Sequence, residues 1–317
     1  MKPNAGLLLT LLALFALATA PVAAQPQVQP QSQPQVQPQS GGGAQLSTNT
    51  PSKRDRLIAG GVVVALGSSP WQVGLMDINQ PIPSGPICGG SLVGDRWVLT
   101  AAHCFFNLPT CQRRYTAGGL WVLYGTPNLA TSAPQLARVK AIHLANPHFD
   151  CKTLRDDIAL VELQGVLMTA PRMQLPTAQQ DSALDAAPLA RLNATGWGHT
   201  RENGSISQAL LEVAVPLVRM DQCRPLLAPT LAVPENTLCA GEYGKDTCRG
   251  DSGGPLFRRQ AGSTAGAVQF GITSFGAGCG RPDSPGVYTR VAAYTGWIRK
   301  TMAAPTCTPA LAAAAQC

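Results

Sequence analysis

Charge is scarce in this 317-residue chain, where Asp, Glu, Lys and Arg make up 13% of the residues, against roughly 25% in ordinary soluble domains. Aromatic residues are also few, at 5%, and the basic residues are scattered without any run of Lys or Arg. A nucleic-acid groove, which needs clustered cations and stacking platforms, is therefore not expected, and the formal charge of +7 reads as solvation. No two cysteines stand in C-x-x-C spacing, which argues against a zinc or redox site. No Asp or Glu occurs between Asp95 and Asp150, so that stretch has no acidic side chains for calcium. No metal and no cofactor are expected. The one long apolar run, Leu7 to Ala20, falls short of the roughly 20 residues needed to span a bilayer. It follows Lys2 and ends at Val22-Ala23-Ala24, the pattern of a secretory signal peptide cleaved after Ala24. Stable membrane insertion is not expected.

What is present fits export. Ten cysteines entering an oxidising compartment are expected to pair into five bridges. Residues 25 to 40 are two copies of QPQVQPQS, followed by Gly41 to Gly43 and a polar stretch to Arg56. Alternating Gln and Pro favours extended polyproline II and builds no core, so residues 25–57 read as a pro-region or linker. From Ile58 the texture changes to short β-branched and aromatic runs such as WQVGL, WVLTAA, LWVLYG, IALVEL and FGITSF, separated by Gly, Pro and Asn. That is an all-β signature, and residues 58–303 suffice for two packed β units around one cleft. The clear helix candidate lies around Tyr294 to Met302, and residues 304–317 form an Ala-rich tail.

Three segments carry the chemistry: LTAAHC ending at Cys104, DIAL beginning at Asp157, and GDSGGP from Gly250 to Pro255. With IAGG near Ile58, PWQVGL, ATGWG at Ala194 to Gly198, SFG at Ser274 to Gly276, PGVYTRV at Pro285 to Val291 and WIRK, all in family order, the chain resembles the trypsin and chymotrypsin family of serine proteases. The resemblance implies two six-stranded antiparallel barrels with the active site between them and a C-terminal helix. It also implies a secreted endopeptidase acting through an acyl-enzyme and made as a zymogen. Ser252 would be the nucleophile, His103 its general base, and Asp157 the group that holds the imidazole tautomer. Gly250 and Ser252 would offer backbone N–H groups to the oxyanion. Asp246, six residues before the nucleophile, would form the base of the primary pocket, lined also by Ser274, Gly276 and Gly286, and select Arg or Lys. Phe275 stands where many members carry Trp.

Asp251 would pair with the ammonium of a newly cut N-terminus. Counting back from Trp71 makes that terminus Ile58, yet the basic residue is Arg56, and a cut there would expose Leu57. A cut after Leu57 would not suit an autocatalytic trypsin, whereas one after Arg56 would.

Family positions imply the bridges Cys88 with Cys104, Cys223 with Cys239, and Cys248 with Cys279. The remaining four are paired as Cys111 with Cys151, from loops flanking His103 and Asp157, and Cys307 with Cys317. His143, His148 and His199 lack metal spacing and read as surface or structural, and Asp156 as an outward-facing strand neighbour. The Arg-over-Lys and Ala-rich usage fits a GC-rich bacterial genome, and the sequons at Asn193 and Asn203 matter only in a glycosylating host. The expected partners are protein or peptide substrates, an activating protease and a proteinaceous inhibitor, with a monomer outside the cell or in the periplasm. The rivals are a silent homologue that binds without catalysis, and a processing protease with a narrow target.

Overall fold

The computed structural model describes residues 60–304, apart from residues 132, 168–170, 188–189, 229–230, 261 and 263–265. The expected leader, the Gln-Pro repeats, Ile58 and the Cys307–Cys317 loop lie outside the described residues. The chain divides into residues 1–50 and 51–317, and everything below belongs to the second unit.

Twelve strands build two closed barrels. The first consists of β1 (Gln72–Asp77), β2 (Cys88–Gly94), β3 (Trp97–Thr100), β4 (Leu120–Tyr124), β5 (Gln135–Leu144) and β6 (Ala159–Leu163). Its strands run in the order β1-β2-β3-β6-β5-β4, and β4 closes on β1. The second consists of β7 (Arg191–Gly196), β8 (Leu211–Val218), β9 (Thr237–Ala240), β10 (Pro255–Arg259), β11 (Ala267–Phe275) and β12 (Gly286–Arg290). Here the order is β7-β8-β9-β12-β11-β10, with β10 closing on β7, so strand for strand the second barrel repeats the first. All pairings are antiparallel. Closure removes exposed sheet edges, which is how an all-β chain of this kind avoids edge pairing. A short strand, Val62–Val63, adds to the outside of β8.

The runs legible in the sequence fill the barrel interiors. Trp71, Val73, Leu75, Leu99, Val122, Leu160 and Leu163 form the core of the first barrel. Leu192, Val213, Val215, Leu256, Phe270 and Tyr288 form that of the second. Buried polar side chains join the two barrels in satisfied pairs: the Ser91 hydroxyl donates to Gln269 Oε1 (2.5 Å) and the Thr195 hydroxyl to Gln72 Oε1 (2.6 Å). After β12 the chain enters a helix, Thr295–Ala303, whose Ile298, Trp297 and Met302 pack back on the first barrel.

Two shorter helices, Ala178–Asp185 and Met220–Leu227, were not expected from the sequence. Both are eight residues long, below the length at which apolar periodicity is decisive. The first nevertheless carries a readable capping box, in which Thr177 Oγ1 accepts from the Gln180 N–H and the Gln180 side chain accepts from the Thr177 N–H. Asp156 needs correction: it lies in a turn ahead of β6 at φ 56°, not in a strand, and accepts hydrogen bonds from Tyr294 Oη (2.7 Å) and Asn146 Nδ2 (3.2 Å). Asp and Asn tolerate left-handed backbone better than most residues, which is why a turn forms there.

Candidate active site

His103 sits in a single helical turn, Ala102–Phe105, directly after β3, and Asp157 two residues before β6. Because β3 and β6 are neighbours, with Thr100 opposite Ala159, the fold brings residues 54 apart together. Asp157 is fully buried. Its Oδ1 accepts from the His103 backbone N–H (2.8 Å), and its Oδ2 from His103 Nδ1 (2.7 Å) and from the Ser274 hydroxyl. The carboxylate thus places the ring proton on Nδ1 and leaves Nε2 free to accept one. Burial pushes the Asp157 carboxyl up, but the His103 charge and these hydrogen bonds outweigh it, so its pKa lies below the usual carboxylate value. Burial likewise lowers that of His103, and the charge and hydrogen bond of Asp157 reverse this and raise it above 6.5.

Ser252 lies in the loop that leads from the Cys248–Cys279 bridge into β10. The loop is pinned to both barrels. Ser252 O accepts from Gly89 N in the first barrel (2.7 Å), and Gly253 N donates to Thr273 O in the second (2.8 Å). Gly250 adopts φ 93°, a conformation that L side chains rarely adopt. Ser252 and Ser274 line one cleft, and Ser274 also touches Asp157, so the serine, histidine and aspartate segments converge on one place.

Asp251 is not among the residues lining this cleft and is 1% exposed. Gly198 N donates to its Oδ1 and Cys248 N to its Oδ2, both at 2.9 Å. A Cβ on Gly198 would lie 2.5 Å from the carboxyl carbon, so only glycine admits the carboxylate here. Burial pushes this carboxyl up to about 6, although the two N–H groups pull it down. Against the ordinary value of 3.8, that is about 3 kcal/mol against the ionised form. A raised carboxyl pKa favours the fold below about pH 4, and this contribution is lost as pH rises through about 6. Among the described residues no Lys, Arg or His pairs with it. Gly198→Ala is expected to lower stability by about 1–3 kcal/mol through overpacking, read as a lower Tm.

The cleft, of about 250 Å³, is lined by Asp246, Ser274, Gly276 and Gly286, among others. Asp246 is 2% exposed, with Thr247 N donating to its Oδ1 (2.8 Å) and Gly280 N to its Oδ2 (3.0 Å). Burial, resisted by these two donors and reinforced by the Asp251 charge, raises it to about 7. A Cβ on Gly286 would meet Asp246 Oδ1 at 2.9 Å, and one on Gly276 would lie 3.7 Å from Gly286 Cα, so any side chain here would narrow the slot. The buried carboxylate in this cleft is an acceptor for a cation.

Four bridges are present among the described residues: Cys88–Cys104, Cys111–Cys151, Cys223–Cys239 and Cys248–Cys279. Among the described residues, the one cluster of metal-ligand types is Cys88, His103 and Cys104. Its cysteines are bonded to each other, which leaves no thiolate to ligate. His143 packs on Trp97 and lies 3.6 Å from Glu162, His148 sits in a loop, and His199 N donates to Arg249 O (2.7 Å). No helix among the described residues is long and apolar enough to cross a membrane. Sequence reasoning missed three contributions. Gly198 cradles Asp251, the Thr289 hydroxyl donates to Asp157 O (2.8 Å), and Glu202 and Asn203 stand at the rim of the cleft. The glycine pair around Trp197 was the available signal for the first.

Comparison with known proteins agrees with this geometry. The family model described as Trypsin matches residues 58–298. "Serine protease 56" of Homo sapiens is 37% identical over 276 residues, covering 84% of this chain and 43% of that protein. "Serine protease 56" of Mus musculus is 38% identical over 263 residues, covering 81% and 40%. "Transmembrane protease serine 9" of Rattus norvegicus is 39% identical over 249 residues, covering 76% and 21%. The chain spans less than half the length of these relatives.

Proposed function

The chain belongs to the trypsin family of serine proteases, and from that premise we propose that it is a secreted endopeptidase that cleaves after Arg or Lys and is made as a precursor. The observation that carries the specificity is the buried Asp246 carboxylate at the end of a glycine-walled cleft that Ser252 also lines. A guanidinium or ammonium entering the cleft pairs with Asp246 and places the scissile carbonyl beside Ser252. His103 Nε2 takes the serine proton as the hydroxyl attacks, and the Gly250 and Ser252 N–H groups receive the developing oxyanion. The protonated imidazole, stabilised by Asp157, then gives its proton to the leaving amine. Water repeats the sequence on the acyl-enzyme. The activity uses no metal or other cofactor.

Precursor activation is supported by Asp251, whose ionised form is disfavoured by burial until a cation arrives. The ammonium of Ile58, freed by an activating protease, supplies that cation. The protein acts as a monomer on protein or peptide substrates, open to a proteinaceous inhibitor. The Cys111–Cys151 bridge beside the His103 and Asp157 segments favours a narrow range of targets.

Covalent labelling by a fluorophosphonate, with a cleavage profile on a peptide library, both on the chain cut to expose Ile58 as N-terminus, tests the reading. Failure to label, or a profile without Arg and Lys at the cleaved position, overturns it. The pH dependence adds a finer check. Neutral His103 and ionised Asp246 are both required in the free enzyme, and the pKa of each is raised. The kcat/KM for an arginine ester should therefore climb from about pH 5 to about pH 8 along a limb steeper than one proton. A single-proton limb would remove Asp246 from the count.

A further inference from the structure

The two sequons, Asn193-Ala194-Thr195 and Asn203-Gly204-Ser205, meet opposite fates in the fold. Asn193 lies in β7, paired with Ala214 on one side and Phe257 on the other, and its Nδ2 donates to Glu212. An acceptor held between two paired strands of a closed barrel, half-buried and with its amide engaged by Glu212, is out of reach of a transferase once the barrel forms. Asn203 instead sits at the tip of a hairpin held by the His199–Ile206 bridge, exposed, at φ 58°, in a turn closed by Gly204 N on Arg201 O (2.9 Å). Its side chain makes no hydrogen bond among the described residues, and Ser205 is also exposed.

The hairpin does not hang free. Glu202, next to Asn203, receives two hydrogen bonds from Arg281, Nε to Oε2 (3.0 Å) and Nη2 to Oε1 (2.6 Å). Such a bidentate pair fixes direction as well as distance. Glu202 and Asn203 line the same cleft as Asp246 and Ser252. Anything attached to Asn203 is thereby held at the entrance to the primary pocket.

We propose that, in a glycosylating secretory pathway, Asn203 and not Asn193 is an N-glycan acceptor, and that its glycan screens the pocket against folded protein partners while admitting small or flexible substrates. In the transfer, Asn203 Nδ2 forms a bond to the anomeric carbon of a lipid-pyrophosphate-linked oligosaccharide. The sugar–pyrophosphate bond breaks, and the amide loses one proton. The screening half rests on the proposed peptidase reading, whereas the acceptor half does not.

The test uses the full chain secreted from a eukaryotic culture, mapped by glycopeptide mass spectrometry. A glycan on Asn203, lost in both Asn203→Gln and Ser205→Ala, is the expected result. An unmodified Asn203 or a glycan on Asn193 overturns the assignment. Ser205→Ala leaves the left-handed Asn203 in place, so it serves should the Gln variant fold poorly. Loss of the glycan in Ser205→Ala should speed association with a Kunitz-type protein inhibitor by about fivefold or more, with hydrolysis of a small arginine ester changed by less than about twofold. Equal association rates overturn the screening. If neither form hydrolyses the ester after limited proteolysis that exposes Ile58 as N-terminus, the peptidase reading fails, and the mass spectrum still decides the acceptor site.

Discussion

Ser252→Ala is expected to lower kcat on an arginine ester by on the order of 10⁶-fold, the scale known for triad serines generally. The argument runs through what remains. Alanine leaves the His103–Asp157 pair at 2.7 Å, the Gly89 N to Ser252 O backbone bond and the cleft all intact. Binding should change little, and the loss should fall on kcat with KM nearly constant. Residual turnover about 10³- to 10⁴-fold above the uncatalysed rate would come from binding and oxyanion donors alone. The same variant should lose fluorophosphonate labelling completely. Stopped-flow or burst kinetics with active-site titration reads both, and a variant that keeps more than a hundredth of wild-type kcat would rule out Ser252 as nucleophile.

Asp246→Ser should produce the second largest effect, with a different signature. The carboxylate is buried, held by Thr247 N and Gly280 N, and faces a slot bounded by two glycines. Removing one member of a buried, hydrogen-bonded charge pair leaves the other without a partner, a loss of about 2 to 5 kcal/mol. In kcat/KM for Arg and Lys substrates that is about 30-fold to several thousand-fold. Labelling of Ser252 and hydrolysis of esters with small apolar side chains should persist, because neither needs the carboxylate. Unchanged preference for Arg and Lys across a peptide library would remove Asp246 from its role. Asp246→Glu is no simple rescue, since one added methylene must enter a space so close to Gly286 that a Cβ built there would lie 2.9 Å from Asp246 Oδ1.

Much of this was legible in the sequence because the decisive signals are local. LTAAHC, DIAL and GDSGGP are each contiguous, and the short β-branched and aromatic runs between them announce strands without knowledge of their partners. The Cys111–Cys151 pairing followed from its loops flanking His103 and Asp157. What escaped is non-local or conformational. That Gly198 must be glycine follows only from Asp251 arriving 53 residues later in the chain. The Glu202–Arg281 pair spans 79 residues, and nothing in either segment marks the other. Asp156 was misread because a left-handed turn residue beside a strand looks like the strand itself until φ is known. The helix Met220–Leu227 carries Pro225 within it, which argues against a helix in any local reading and is overridden by packing of Cys223 and Leu227 beneath it.

The hydroxyls that complete Asp157 have a consequence for the order in which the molecule is made. His103 and Asp157 both belong to the first barrel and emerge from the ribosome early. Ser274 and Thr289, which donate to the Asp157 side chain and carbonyl, follow 117 and 132 residues later, on the last two strands. Ser252 itself comes 95 residues after Asp157. A growing or truncated chain therefore holds an imidazole and a carboxylate with no nucleophile beside them and no hydroxyls to fix the acid. On the proposed peptidase reading, competence arrives only when the final strands close the second barrel and dock it on the first, so an unfinished chain would be inert whether or not a pro-segment acts.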